Sequence, residues 1–381
     1  VKLGDSLLIM SARDSFARAL REPFPKPGHA IRFSEMTWKA LAAALALMLA
    51  PAPAPARHAV SYANPVLDAD FPDPMVLRAA DGTYYAYGTQ TKRAGQWVNI
   101  QLAQSRDLVH WQWLGDALPA KPAWATKTQD FWAPHVVRDG RRYILFYSAK
   151  PDTSDERHGL CLAVAVAPSP RGPFRDVGRP VECGEGFVNI DPMAFADPAT
   201  GKHWLYWGSG FQPIKVRELA ADWMAFAPGS TAKPLVWPNP VKDAFPVLVE
   251  GSWMLRHGGW YYLFYSGDNC CGPKANYAVM VARSKAATGP FETLEQATGK
   301  AHSIIVEKRG KWIAPGHNSI VTDRAGRDWI VYHAVDAGRP RENPGDEINT
   351  RRILLIDPIE WHSGWPRIDG PSSGRRKGPT P

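Results

Sequence analysis

The chain has 381 residues, 45% of them hydrophobic, with a formal net charge of +8 and 16 tryptophans. Such a length admits two average domains or one large β architecture. The charge is not a nucleic-acid footprint: residues 1–56 carry +3 of it, Arg375-Arg376-Lys377 lies at the far end, and no basic stripe crosses the body.

The first element in chain order is a leader. Met36 to Lys39 is a short positive region, residues 40–50 are apolar, and Pro51 to Ala56 alternates Pro with Ala. A positive start, an apolar run and small residues at an A-x-A site make a secretory signal. The run falls short of the roughly 20 residues that span a bilayer. The expected organisation is a non-native extension over 1–35, a signal peptide over 36–56 cut after Ala54 or Ala56, a main domain over 57–368 and a disordered tail over 369–381. The product would be exported, to the periplasm or beyond, as a monomer with no membrane span. Four cysteines suit an oxidising compartment. Cys161 and Cys183 could pair, and the adjacent Cys270 and Cys271 could bond or stay reduced; sequence leaves this open. No CxxC or HExxH motif suggests zinc.

Five strand-like segments then recur: Tyr84–Thr89, Tyr143–Ser148, Trp204–Ser209, Tyr261–Ser266 and Trp329–Ala334. Each is aromatic or β-branched, ends on a small or polar residue, and follows a glycine turn signal. Aligning Gly88, Tyr147, Gly208, Tyr265 and His333 gives steps of 59, 61, 57 and 68 residues. A repeat of that size, without long helical periods, holds four short strands. The expected fold is all-β: a five-bladed β-propeller with four-stranded antiparallel blades around a central channel.

A second motif precedes each repeated strand. Stepping through Asp73, His135, Asp191, Glu250 and His317 gives 62, 56, 59 and 67 residues. Equal phasing puts these five side chains on the channel-lining strands, converging near one end of the axis. Carboxyls crowded there repel one another, so one stays protonated while another ionises. Cleavage of an acetal needs that pairing: a proton for the leaving oxygen and a base for water.

The motifs together resemble glycoside hydrolase family 43: Asn64-Pro-Val with Phe71-Pro-Asp-Pro74, Phe131-Trp-Ala-Pro134, Ile190-Asp-Pro-Met193, Glu250-Gly251, Pro315-Gly-His-Asn-Ser319 and Gly364-Trp-Pro366. The likeness covers roughly residues 63–368. It implies a five-bladed propeller of inverting enzymes that cleave arabinose or xylose linkages in plant cell walls. Carried over, Asp73 is the general base, Glu250 the general acid, and Asp191 the third carboxylate that tunes the acid. An inverting mechanism implies a base–acid separation of roughly 6.5–9.5 Å. His317 matches a position where relatives hold calcium or another ion on the axis through waters. Many relatives carry an acid after Trp-Ala-Pro, where this chain has His135.

Substrate contacts are expected from Phe131, Trp132, His135, Phe211, Trp253 and His317, with Trp207 a further platform and Arg351 or Arg352 reaching sugar hydroxyls; Arg351 is the first choice. The substrate expected is arabinan or arabinoxylan, cut at α-L-arabinofuranosyl linkages. Three alternatives stand beside it: a β-xylosidase with the same trio, a carbohydrate-binding propeller that lacks a carboxylate, and a retaining furanosidase acting on fructans.

Overall fold

The computed structural model describes residues 60–153, 159–241, 244–342 and 350–381. The expected extension and signal peptide lie outside the described residues. Five antiparallel blades follow in chain order, each built from strands in sequence, save that the hairpin Thr91–Arg93 with Gln96–Val98 interrupts the first. The first holds Met75–Arg78, Tyr84–Gly88, Gln101–Ser105 and Trp111–Asp116. The second runs from Phe131–Asp139 through Arg142–Ala149 and Cys161–Ala167 to the short edge pieces Arg175–Asp176 and Glu182–Cys183. The third has Met193–Ala196, His203–Trp207, Ile214–Leu219 and Lys233–Val236. The fourth has Val249–His257, Trp260–Gly267 and Ala278–Ser284, edged by Glu292–Thr293 and Ile304–Val306. The fifth has Trp312–Thr322, Asp328–Asp336, Ile353–His362 and Trp365–Ile368.

The repeated motif is the second strand of every blade, and its composition has a packing cause. Such a strand is covered on both faces by neighbouring blades. Leu145 and Tyr147 enter the core shared with the first blade, whereas Ile144 and Phe146 enter the core shared with the third. Five such inter-blade cores complete the circle. A strand buried on both sides reads as a continuous apolar run rather than an alternation. Each large side chain buried this way stabilises the fold by about 1.5–3 kcal/mol.

Among the described residues no strand is exchanged between blades one and five, so other segments close the circle. The stretch before the first blade lies along the third strand of the fifth: Val66 N–H donates to Leu354 O at 3.0 Å and Phe71 N–H to Arg352 O at 2.7 Å. The Asn64 amide bonds both the carbonyl and the N–H of Ile356. The tail over 369–381, expected to be disordered, completes this seam. Arg376–Lys377 pairs with Ser61–Tyr62, Ser372 is buried, and Thr380 N–H donates to Asp323. Its polar composition hid a role that rests on backbone pairing. Cys161 is paired with Cys183 and Cys270 with Cys271. Among the described residues no helix is long and apolar enough to cross a membrane.

Candidate active site

The innermost strands carry a matched irregularity. Asp73, Ala133, Asp191, Gly251 and His317 all adopt left-handed backbone, with φ of 54°, 45°, 59°, 61° and 47°. For a residue with a Cβ this costs about 1–2 kcal/mol, and the conformation persists where surrounding structure over-determines it. The restraint comes from the preceding blade, from the last residue of its repeated segment or, in the fifth blade, from the residue before it. Thr89 Oγ1 accepts the Ala133 N–H at 2.7 Å, Ser148 Oγ that of Asp191 at 3.2 Å, and Ser266 Oγ that of His317 at 2.9 Å. His333 Nδ1 accepts the Asp73 N–H at 3.1 Å and closes the circle. Only between blades three and four does the pattern change. There Ser209 donates to Glu250 Oε2 at 2.5 Å, and the Gly251 N–H turns to Asp191 Oδ2 at 3.0 Å.

These equivalences correct the phasing inferred from sequence. The true partner of Asp73 and Asp191 in the second blade is Ala133, not His135. His135 stands two residues further along its strand, level with Met75, Met193, Trp253 and Ser319. Its Nδ1 accepts the Ala194 N–H at 3.3 Å, just as Ser319 Oγ accepts the Val76 N–H at 3.1 Å. Burial pushes the His135 pKa down to about 3, so it is a neutral blade-to-blade tie in the channel wall. In the fourth blade the equivalent is Gly251, and Glu250 is one residue off. Neighbouring strand residues face opposite ways, which sends Glu250 towards the third blade.

The convergence itself holds. His317 Nδ1 lies 3.4 Å from Asp73 Oδ1 and 3.8 Å from Asp191 Oδ2. Asp191 Oδ2 holds the N–H next to Glu250. All three carboxyls that a non-catalytic propeller would lack in part meet at one place.

Their surroundings differ in sign. Burial alone would raise Asp73, but the Arg352 guanidinium, 2.8 Å from Oδ1, then the facing His317 and His333, and then the Thr89 hydroxyl, 2.6 Å from Oδ2, outweigh it and hold the carboxyl well below the usual carboxylate range. Burial pushes both His317 and His333 down, and His333 Nδ1 accepts the Asp73 N–H. Asp191 is raised well above its usual value by burial, then by the charges of Glu250 and Asp73. Glu250 is also raised by burial, although Ser209 and Tyr277 donate to its oxygens at 2.5 and 2.8 Å. Asp191 and Glu250 thus form a buried pair, both raised, that binds a proton more readily than Asp73 does.

Sequence reasoning missed Tyr277, which follows the Cys-Cys loop outside every repeated motif. Its ring stacks on His333 at 5.8 Å, and a Cβ on Gly316 would stand 2.0 Å from it. The glycine of Pro-Gly-His-Asn is therefore the space this ring needs. The missed hydroxyls, Thr89, Ser148, Ser209 and Ser266, were in view as the polar ending of each repeated strand.

Other candidates fall into two groups. Trp132 and Trp253 are half-buried, and Trp253 lines the channel against His135 at 5.3 Å. Phe211 is 60% exposed. Phe131 and Trp207 offer no face to a ligand. Phe131 is fully buried and stacked on Tyr147, and Trp207 is buried with its indole N–H donating to Asn189 at 3.0 Å. Both occupy the strand positions that alternation sends into inter-blade cores. Arg351 is a correction too. It is buried and held by Asp68 and Glu342, whereas its neighbour Arg352 reaches Asp73.

Among the described residues no group of three or more His, Cys, Asp or Glu is arranged to hold a metal directly. The channel near His317 does contain unpartnered buried polar atoms, Ser252 Oγ and both amide atoms of Asn318. Oxygen donors of this kind fit water, or a hydrated hard cation.

Comparisons with known proteins agree with this fold. The family model described as glycosyl hydrolases family 43 matches residues 62–366. The extracellular exo-alpha-(1->5)-L-arabinofuranosidase ArbA of Cellvibrio japonicus is 28% identical, over 79% of this chain and 86% of that protein. A putative beta-xylosidase of Escherichia coli is also 28% identical, over 81% of this chain and 56% of that protein. The crystal structure of a thermostable family-43 glycoside hydrolase superposes with a TM-score of 0.67 at 26% identity, covering 84% of this chain and 99% of that one. The chain belongs to glycoside hydrolase family 43 and is a glycosidase.

Proposed function

We propose that the protein is an exported, inverting hydrolase of α-L-arabinofuranosyl linkages in arabinan or arabinoxylan. The observation that supports the chemistry is the opposite direction in which the surroundings push these carboxyls. Asp73 is held low beside Arg352, whereas Asp191 and Glu250 are both raised, so in this reading the proton resides on that pair. In the proposed reaction Glu250 gives a proton to the departing glycosidic oxygen as that bond to the anomeric carbon breaks. Water attacks the same carbon from the opposite face and loses its proton to Asp73. Asp191 keeps Glu250 supplied and holds the Gly251 backbone that aims it.

The arabinose assignment is supported by the name of the Cellvibrio relative, and export by that name together with the leader. A second reading, β-xylosidase activity, is supported by the Escherichia coli relative, since one trio serves both pentoses. We include a calcium or similar ion on the axis in the proposal. His317, Asn318 and Ser252 would hold it through waters, and it would supply positive charge beside Asp73 and Asp191.

The test is a panel of nitrophenyl α-L-arabinofuranoside, nitrophenyl β-D-xyloside and linear arabinan on wild type and Glu250→Gln, with NMR of the product anomer. Glu250→Gln should lose about 10²–10⁴-fold on polysaccharide and much less on the nitrophenyl glycoside, which needs little protonation. Undiminished cleavage of arabinan by the variant would remove Glu250 as the acid. A retained anomer would remove the inverting mechanism and favour the fructan-type furanosidase.

A further inference from the structure

Six large apolar side chains are exposed among the described residues, and two of them touch. Phe187 and Phe211 are 37% and 60% exposed, and their rings meet edge to face at 6.0 Å. Both sit on segments that lead into the carboxylate cluster. Phe187 lies on the loop that runs through buried Asn189 to Asp191. Phe211 lies in the turn closed by Gln212 N–H to Ser209 O at 3.1 Å, and Ser209 is the residue that donates to Glu250.

The two segments are locked together. Gly208 N–H donates to Ile190 O at 3.1 Å, and a Cβ on Gly210 would stand 2.7 Å from Val188 Cγ1. The residues beside each phenylalanine therefore dock against one another and leave both rings facing solvent. Phe211 also holds φ at 62°, a conformation glycine or asparagine would adopt more easily. A large apolar ring kept exposed in that conformation is not there for the core.

We propose that Phe187 and Phe211 form the leaving-group subsite, a platform for the sugar ring on the departing side of the bond. This rests on the reading of Glu250 as the acid. The proton donor stands on the side of the departing oxygen, and Glu250 turns to the third blade, where these rings are. A pentose presents an apolar face of C–H groups that packs on an aromatic ring, and two rings at an angle cradle it without demanding one hydroxyl pattern. The platform serves oligosaccharides and polysaccharides, whose leaving group is a sugar, and contributes nothing to a glycosyl fluoride.

The test uses the full chain with Phe211→Ala, Phe187→Ala and Phe211→Trp. Pentose oligosaccharides and the matching glycosyl fluoride are the substrates. Oligosaccharide binding is also measured by calorimetry on Glu250→Gln, with and without Phe211→Ala. With Phe211→Ala, kcat/KM on the oligosaccharide should fall about ten-fold more than on the fluoride, chiefly through KM, and Phe211→Trp should restore it. Phe187→Ala should follow in the same direction. Equal losses on both substrates would overturn the proposal, as would oligosaccharide binding that Phe211→Ala does not weaken. A wild type inactive on every pentoside, with oligosaccharide binding that still depends on Phe211, would instead overturn the hydrolase reading and leave the platform standing.

Discussion

The two sides of the carboxylate cluster are built from the same repeated strand and do opposite things. On the side of blades one and five, Asp73 receives a guanidinium, a hydroxyl and a backbone restraint from a neutral histidine. On the side of blades three and four, Asp191 and Glu250 receive neutral donors and each other. Both sides are buried. Burial disfavours charge everywhere, so the groups around each carboxyl decide which one ionises: Arg352 and the facing histidines lower Asp73, whereas Asp191 and Glu250 are raised by burial and by the charge of Asp73. A near-symmetric scaffold thus sorts its carboxyls by the charges set around each, Arg352 first for Asp73, rather than by depth.

That contrast can be broken from either side. The largest effect should come from Asp73→Asn. Turnover should fall about 10³-fold on arabinan and on activated nitrophenyl glycosides alike, since leaving-group quality does not replace a base. Circular dichroism should show an unchanged fold, and substantial turnover on either substrate would contradict the role. Next is Arg352→Met, which leaves Asp73 buried without its counter-charge. The carboxyl pKa then rises, and the acidic limb of the pH–rate profile should move to higher pH by about one to two units. Stability should fall by about 3–5 kcal/mol, read as a lowered urea midpoint. An unmoved acidic limb would show that Arg352 does not set the ionisation of Asp73.

The smallest change sharpens the other side. Tyr277→Phe removes a donor to Glu250 and nothing else from that carboxyl. A donor favours the ionised form, so its loss raises the Glu250 pKa further. The basic limb of the profile should shift upward by about one unit, with activity persisting at higher pH and the acidic limb unchanged. Movement of the acidic limb instead would mean that the tyrosine acts on Asp73.

Much of this was legible beforehand, for identifiable reasons. The second strands are buried on both faces, so each must be a run of apolar residues, and five such runs reveal five blades. Asp73 and Asp191 were legible because each stands in a Pro-containing motif at the position where its strand bends left-handed. Glu250 was found by the same rule, although its place is one residue from true equivalence. His135 was misplaced because its motif was matched on polarity, and the polar residue of that blade stands deeper in the channel.

Composition and periodicity therefore determined the number of blades, the strands that line the channel and the three acids at its mouth, because burial constrains which residues can occupy those strands. Direction was decided only when the circle closed. Adjacent strand residues point to opposite sides, and a left-handed bend resets the alternation, so a one-residue difference separates Arg352 on Asp73 from Arg351 on Asp68. Tyr277 and the tail were decided in the same way, by contacts across long stretches of chain. Nothing local marks such contacts, because the free energy that fixes them arises only when distant segments pack.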